Sequence, residues 1–351
     1  MKRLLISFLI LAATINAIET PKPLSSPTLY QRTTYHLFSG SSNCKLSHAI
    51  AKELGTTVGK SLVTSFNDGE ISIKIDENVR NKDIYLIQST CTTDKCSIND
   101  SLMELYLTVR ALRRASAKSV TAIIPYYGYA RQDRKSAPRV PISAAEIALM
   151  FETAGVDRVV SVDLHCGQIQ GFFQHIPVDN LYAATLTVPY FAQKILHKPV
   201  ILSPDAGGVS RAKYFRDRLA RYGVETGFGI IVKQRQSAGI VGSMDLVGDV
   251  QDRDVIIVDD LCDTGGTLVK AAAELKKFGA RNIYASITHP VFSKNALEKI
   301  KSSDFKEVVV TDTIPIAGKF PANLTQISIA PLIAEVIYRL QTSQSLAEVF
   351  E

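Results

Sequence analysis

The chain reads as an α/β protein built from two doubly wound parallel-sheet domains. Three observations lead there. Short runs rich in β-branched residues recur along the sequence, and most are followed by a helical period. Each run ends in a charged or Gly-rich loop, the layout of open parallel sheets that carry ligands beyond their carboxyl ends. A length of 351 residues suffices for two domains with cores of their own.

The elements follow in order. Tyr35 to Phe38 reads as a strand, and a helix follows from about Leu46 to Leu54 with Gly55 as its stop. Ser65 to Glu70 is a turn, and Glu70 to Asp76 alternates Ile with polar residues, a half-exposed strand. Asp83 to Gln88 is a strand. Leu102, Leu105, Tyr106, Val109 and Leu112 recur at helical spacing within Asn99 to Ala115. Val120 to Pro125 is a buried strand, Ile142 to Ala154 a helix, and Arg158 to Val162 a strand ending in Asp163-Leu164-His165. A second set begins at the strand Pro199 to Leu202. A helix from Val209 to Tyr222 and a strand from Gly229 to Val232 come next, then Lys233-Gln234-Arg235-Gln236 as a loop. Strands at Val255 to Val258, Ile283 to Thr288 and Glu307 to Thr311 complete the second sheet, and Pro331 to Leu340 is a closing helix. The expected division is a leader and linker over 1–34, a first domain over 35–182 rejoined by the helix 331–341, and a second domain over 183–330. No close internal repeat relates the halves; they share only the strand-to-loop layout.

Composition sets limits. Hydrophobic residues make up 46% and charged residues 21%, ordinary for a soluble α/β protein. The net charge of +6 is mild, and Lys and Arg are scattered, which suits sites for small anions and not a nucleic-acid stripe. Five cysteines without metal-ligand spacing do not form a disulfide framework; Cys91 and Cys96 stand close enough to pair, but free thiols are the preferred expectation. Lys2 and Arg3 precede an apolar run from Leu4 to Ala13, and Ala17 is placed to end a cleavage site: a signal-like segment, too short to span a bilayer. An N-terminal helix lying on the body, or a start placed too early, are the alternatives. No membrane partner is expected.

The densest chemistry lies in Asp259-Asp260-Leu261-Cys262-Asp263-Thr264-Gly265-Gly266-Thr267, between a buried strand and a helical period from Leu268. Strand, Gly-rich turn and helix aim backbone N–H groups and a helix N-terminus at an anion. The glycines admit a phosphate close to the backbone, and Thr264 and Thr267 add hydroxyl donors. Asp259 and Asp260 are adjacent carboxylates that a metal or sugar hydroxyls would hold ionised. The bland alternative is a turn with Asp as helix cap; two acids before it and a third within it weigh against that. Taken singly, His165 reads more readily as a satisfied buried histidine, Phe66 as core, and Lys233 and Arg235 as a solvated loop.

This string resembles the phosphoribosyl-pyrophosphate signature shared by type I phosphoribosyltransferases and ribose-phosphate pyrophosphokinases. Further strings separate the two: Asn67-Asp68-Gly69-Glu70, Tyr129-Ala130-Arg131-Gln132-Asp133, Val162-Asp163-Leu164-His165, Gln168-Ile169-Gln170-Gly171-Phe172-Phe173, and Ser203-Pro204-Asp205-Ala206-Gly207-Gly208. With them the body from Phe38 to Leu340 resembles the ribose-phosphate pyrophosphokinase family, while the base-recognition hood of a phosphoribosyltransferase is missing.

The resemblance implies transfer of the β,γ-pyrophosphoryl group of ATP to the 1-hydroxyl of ribose 5-phosphate, with Mg²⁺ as cofactor. It implies that Asp263, Thr264, Gly265, Gly266 and Thr267 cradle the 5-phosphate while Asp259 and Asp260 hold ribose hydroxyls. It places His165 and Asp205 at the Mg²⁺ and triphosphate end. Phe66, Asp68, Glu70, Arg131, Gln132 and His165 would hold ATP. Lys233 and Arg235 would act catalytically from a mobile loop running into Ser237-Ala238-Gly239. A homo-oligomer, typically a hexamer, with the adenine-binding loop donated across an interface, and a cytoplasmic location are also implied, with export as the alternative from the leader. Two departures stand out: Cys91 to Cys96 is longer than the family pattern, and Ser136 replaces an acid. A non-catalytic regulatory homologue is the rival class, and the retained acids, His165, Lys233 and Arg235 argue against it.

Overall fold

The computed structural model describes residues 35–237 and 240–350, without the side chains of 233–243 and 350. The expectations for the leader, 1–34, and for Ala238 and Gly239 fall outside these residues.

The first sheet is formed by β1 (Tyr35–Ser39), β4 (Asp83–Ile87), β5 (Ser119–Ile124), β6 (Arg158–Val162) and β7 (Val178–Leu181), in the order β1-β4-β5-β6-β7, with every neighbouring pair parallel. Parallel strands need covered faces. On one face, α2 (Ile98–Arg114) and α3 (Ser143–Ala154) bring Leu102, Leu105, Val109, Leu112, Ala148 and Phe151 into a core with Val120 and Ala122. On the other, α1 (Cys44–Glu53) packs with the chain's late helix α8 (Ala330–Gln341), burying Leu46 and Ile50 beside Ile333, Val336 and Ile337. Local chemistry fixes the ends. Ser97 and Asp100 exchange capping hydrogen bonds at the start of α2, and Gly155 stops α3 in the left-handed conformation at φ 97°. An antiparallel hairpin, β2 (Ser61–Ser65) and β3 (Ile71–Ile75), stands apart from the sheet.

The second sheet has seven strands in the order β10-β9-β8-β11-β12-β13-β14. These are β8 (Val200–Ser203), β9 (Gly227–Ser237), β10 (Ile240–Val247), β11 (Asp254–Cys262), β12 (Asn282–Pro290), β13 (Phe305–Thr311) and β14 (Leu324–Ile327). All pairs are parallel except β9 with β10. Helices α4 (Ala184–Ala192) and α5 (Val209–Arg221) cover one face through Val188, Phe191, Phe215 and Leu219. The other face is covered by α6 (Gly266–Lys277) and α7 (Ala296–Lys301), through Leu268, Ala272, Leu275 and Ile300. The two halves meet at their carboxyl edges through buried polar bonds. Ser89 Oγ donates to the Thr313 carbonyl at 2.5 Å, and Asn43 Nδ2 to the Asp312 carbonyl at 2.8 Å.

The expected fold class is what the structure shows, with differences in detail. Lys233 to Gln236 are not a loop. They extend β9, whose backbone pairs with β10 in the register Lys233 with Met244 and Arg235 with Val241. A polar run gave no strand signal; cross-strand pairing supplies what apolar alternation does not. Helix α4 carries Pro189 in its interior. The core changes hands within the expected boundary region: Ala183 packs with the first sheet and Val188 with the second. We therefore propose 35–182 and 183–330 as the two domains, with α8 rejoining the first.

Helix α8 should be indispensable to the first sheet. Ile333 is fully buried there, so Ile333→Ala should cost about 2–5 kcal/mol in urea unfolding. Ile195→Ser, at a fully exposed site, should stay within about 0.5 kcal/mol. A loss under about 1 kcal/mol for Ile333→Ala would contradict the role given to α8.

Candidate active site

In the second sheet the winding reverses between β8 and β11, which are neighbours while β9 and β12 lie on their outer sides. Such a switch point opens a crevice beyond the carboxyl ends of the two strands. The loop after β8 carries Asp205 to Gly208, and the loop after β11 carries Asp263 to Gly265. Both line a cleft of about 1290 Å³, which Asp133, Arg134, His165 and Cys166 complete from the first sheet's loops.

The acids sit at the end of β11, which outlasts its apolar run. Asp260 is buried at 5% side-chain exposure and Asp259 is half-buried at 27%. Arg211, from the first turn of α5, reaches both: its Nη1 lies 3.2 Å from Asp260 Oδ1 and 3.7 Å from Asp259 Oδ1. From the first sheet, His165 Nδ1 lies 2.7 Å from Asp260 Oδ2. Arg211 Nη2 also donates to the His165 carbonyl at 3.4 Å. Burial alone would raise the Asp260 carboxyl, but His165 and Arg211 outweigh it and hold the group below the usual carboxylate range. Asp259 moves the other way, pushed up by burial and by the charge of Asp260. The hydrogen bond to Asp260 raises His165 against the opposing effect of burial. One carboxylate is thus committed as an anion, and its neighbour takes up a proton more readily.

The turn after β11 is arranged for an anion. Gly265 caps α6 from the left-handed region at φ 71°, where a side chain would be strained, and as a glycine it offers no capping side chain to the helix. Lys299 Nζ braces the turn from behind through the Thr264 carbonyl at 2.8 Å. Asp263 lines the cleft with the turn and is engaged by side chains from other segments. Its Oδ2 accepts from Arg131 Nη1 at 2.8 Å and its Oδ1 from Ser293, and these partners hold it below the usual range despite burial. The two cleft cysteines stay thiols, with burial pushing Cys166 up to about 11 and Cys262 up to about 12. A thiolate nucleophile is therefore not on offer.

The other expected residues are distributed as follows. Asp205 lines the cleft, its Oδ1 accepting from the Gly208 N–H at 3.1 Å. Gln132 accepts from Ser143 Oγ at 2.6 Å. Phe66, Asp68 and Glu70 form the exposed tip of the β2–β3 hairpin and are not among the described residues that line the cleft. Lys233 and Arg235 follow directly on Ile231 and Val232, which do line it. Sequence reasoning missed Arg211, Asp163 and Lys299. Arg211 lies in a helix with many basic residues, and nothing local distinguishes it from Lys213 or Arg216.

The site residues fit a divalent cation that arrives on a polyphosphate. Among the described residues no cluster of three metal-ligating side chains exists, and Mg²⁺ needs only one or two carboxylates when phosphates and water complete its shell. His165, its Nδ1 engaged by Asp260, keeps Nε2 as the remaining ring nitrogen, the arrangement usual for a metal-ligating histidine.

Two family models match the chain: the N-terminal domain of ribose phosphate pyrophosphokinase over residues 35–155, and the phosphoribosyl synthetase-associated domain over residues 235–351. A ribose-phosphate pyrophosphokinase of Helicobacter pylori is 46% identical over 318 residues, covering 90% of this chain and 96% of that one. The chain belongs to the ribose-phosphate pyrophosphokinase family. A member from Wolinella succinogenes is 48% identical over 316 residues, covering 90% of this chain and 99% of its own. The crystal structure of phosphoribosylpyrophosphate synthetase from Mycobacterium smegmatis superposes with a TM-score of 0.80 at 39% identity, covering 88% of this chain and 99% of that one. Family membership explains why the turn comes with a second sheet, which the turn alone does not require. His165, Asp205, Arg211 and Lys233 fall between the two matched segments.

The two arginine contacts should differ in strength. Arg211→Ala leaves the buried Asp260 with His165 as its remaining partner and should cost about 2–3 kcal/mol of unfolding free energy. Arg131→Ala breaks an exposed pair with Asp263 and should cost no more than about 1 kcal/mol. Equal losses in denaturant unfolding would show that Asp260 does not depend on Arg211.

Proposed function

We propose that this protein is a ribose-phosphate diphosphokinase. The 1-hydroxyl of ribose 5-phosphate attacks the β-phosphorus of ATP, the bond from that phosphorus to the α-phosphate oxygen breaks, and AMP leaves. The product is 5-phosphoribosyl 1-pyrophosphate, which feeds nucleotide biosynthesis. The observation that carries this is the meeting, in one cleft, of the turn before α6, the acid pair of β11, and His165 with Asp205.

The turn Thr264 to Thr267 receives the 5-phosphate on backbone N–H groups, helped by both threonine hydroxyls and the N-terminus of α6. Asp259 and Asp260 accept hydrogen bonds from the ribose hydroxyls. Asp263 supports the turn through Arg131 and Ser293, since a carboxylate facing the phosphate would repel it. His165 and Asp205 would hold Mg²⁺, which neutralises triphosphate charge as it builds on the leaving AMP. Arg131 and Gln132 would hold ATP, Arg131 from beside the turn through its contact with Asp263. Lys233 and Arg235 meet the β-phosphate as charge develops, from β9 at the cleft edge. The exposed tip with Phe66, Asp68 and Glu70 suits donation to a neighbouring copy, so a homo-oligomer, a hexamer on the family pattern, completes the ATP site. The substrates are cytosolic pools, which favours the cytoplasm; recovery outside it with an N-terminus cleaved after Ala17 would overturn that choice. Among the described residues no helix is long and apolar enough to cross a membrane.

The direct test supplies purified protein with Mg²⁺, ATP and ribose 5-phosphate. AMP and phosphoribosyl pyrophosphate should appear one for one; no AMP would leave the regulatory homologue as the better reading. Asp259→Ala should weaken ribose 5-phosphate binding by about 1.5–3 kcal/mol, on the order of tenfold to a hundredfold, and ATP binding much less. Lys233→Ala should lower kcat by roughly 10²–10³ with little change in KM, and Arg235→Lys should not restore the fork that a guanidinium offers. Near-normal kcat in the Lys233 and Arg235 variants would remove both from the reacting centre.

A further inference from the structure

Residues 163–165 leave β6 in a conformation that their own loop does not maintain. Asp163 has φ 42°, in the left-handed region, where a non-Gly residue stays only if its surroundings hold it. The holding groups come from other segments. The Asp163 N–H donates to the Leu181 carbonyl at 2.8 Å. Its carboxylate accepts from the Ala183 N–H at 3.0 Å and from Thr288 Oγ1 at 2.6 Å. Its carbonyl accepts from His289 Nε2 at 3.2 Å. The Leu164 N–H donates to Asn180 Oδ1 at 2.9 Å. One residue later, His165 meets Asp260.

His289 is fitted to its part. It is 3% exposed and set edge-on to Tyr126 at 5.0 Å between ring centres. The Asp163 carbonyl can only accept, so Nε2 carries the proton. Burial lowers the ring's proton affinity, and its Nδ1 lies 2.9 Å from Thr313 Oγ1, a hydroxyl also within reach of the Thr288 carbonyl at 3.1 Å. Thr288 and His289 are consecutive on β12, so the second sheet grips Asp163 by carboxylate and carbonyl together. His289 does not line the cleft, and no step of the proposed reaction uses it.

On the activity proposed above, we infer that His289 is a positioning residue: its hydrogen bond to Asp163 fixes the chain two residues before His165 and so sets His165 against Asp260. The consequence is kinetic. His165 serves the triphosphate end of the site, and a displacement of about 1 Å at such a group is enough to lower turnover by up to about a hundredfold. Ribose 5-phosphate is held, on that reading, by the turn before α6 and the acid pair of β11; His289 meets β11 through its backbone, in register with Leu261, while its side chain turns to Asp163 and Thr313.

The test uses the full chain with Mg²⁺, ATP and ribose 5-phosphate. His289→Leu removes the donor and keeps an apolar side chain of moderate size. Its kcat should fall by about tenfold or more, while KM for ribose 5-phosphate stays within about twofold. His289→Gln, which can return an N–H donor near Nε2, should recover most of the loss. Should His289→Leu fail to fold, Thr313→Val removes the hydroxyl that orients the ring and should lower kcat in the same sense by a smaller factor. An unchanged kcat in His289→Leu, or in Thr313→Val where only that variant folds, would overturn the inference. So would a Gln variant as impaired as the Leu variant, which would mean that His289 only fills space. An inactive wild-type protein would instead overturn the proposed activity, and the positioning role with it.

Discussion

Asp260 is a carboxylate buried at the end of a parallel strand, and a buried charge must be paired. Its two partners decide the geometry of the site. Arg211 comes from the helix that follows β8, and His165 comes from the other sheet altogether. Satisfying one charge therefore brings together three segments that share no local sequence. The surroundings are largely closed to water, so these contacts are stronger than at a surface, and the cost of losing one partner is correspondingly higher.

The rest of the architecture serves that meeting. Parallel strands put all their carboxyl ends on one edge, and the reversal between β8 and β11 opens space there. The first sheet turns its own carboxyl edge to the same cleft. The polar bonds between the halves, Ser89 to Thr313, Asn43 to Asp312 and Thr288 to Asp163, hold the edges in register. The turn before α6, the acid pair and a histidine then face one cleft, although 95 positions separate His165 from Asp260. Helix α8 closes the circuit by returning from the second sheet to cover the first.

What could be read in the sequence was what is local. The turn from Asp263 to Thr267 announces itself, because strand, glycines and helix are contiguous, and Gly265 takes the left-handed conformation such a turn needs. The buried parallel strand β11 was legible from the unbroken apolar run Val255 to Val258. What required the fold was long-range or polar. Arg211 looks like any other basic residue of α5 until Asp260 is placed beside it. The partners of Asp263, Arg131 and Ser293, lie far from it along the chain and could not be read from the turn itself. The second half of β9 is a polar run paired through its backbone with β10, and it was invisible to a search for apolar alternation. Helix α4 was hidden by Pro189, whose place in a helix interior tertiary packing of Val188 and Phe191 offsets.

If the two sheets act on one reaction through the contact of His165 with Asp260, these residues cannot contribute independently. A double-mutant cycle on kcat/KM for ribose 5-phosphate, with His165→Asn, Asp260→Asn and the pair, measures this most directly. The account predicts that the double variant loses little more than the worse single one, a coupling of about 1 kcal/mol or more. Losses that add within about 0.5 kcal/mol would contradict it, because they would mean that the two halves serve the site separately.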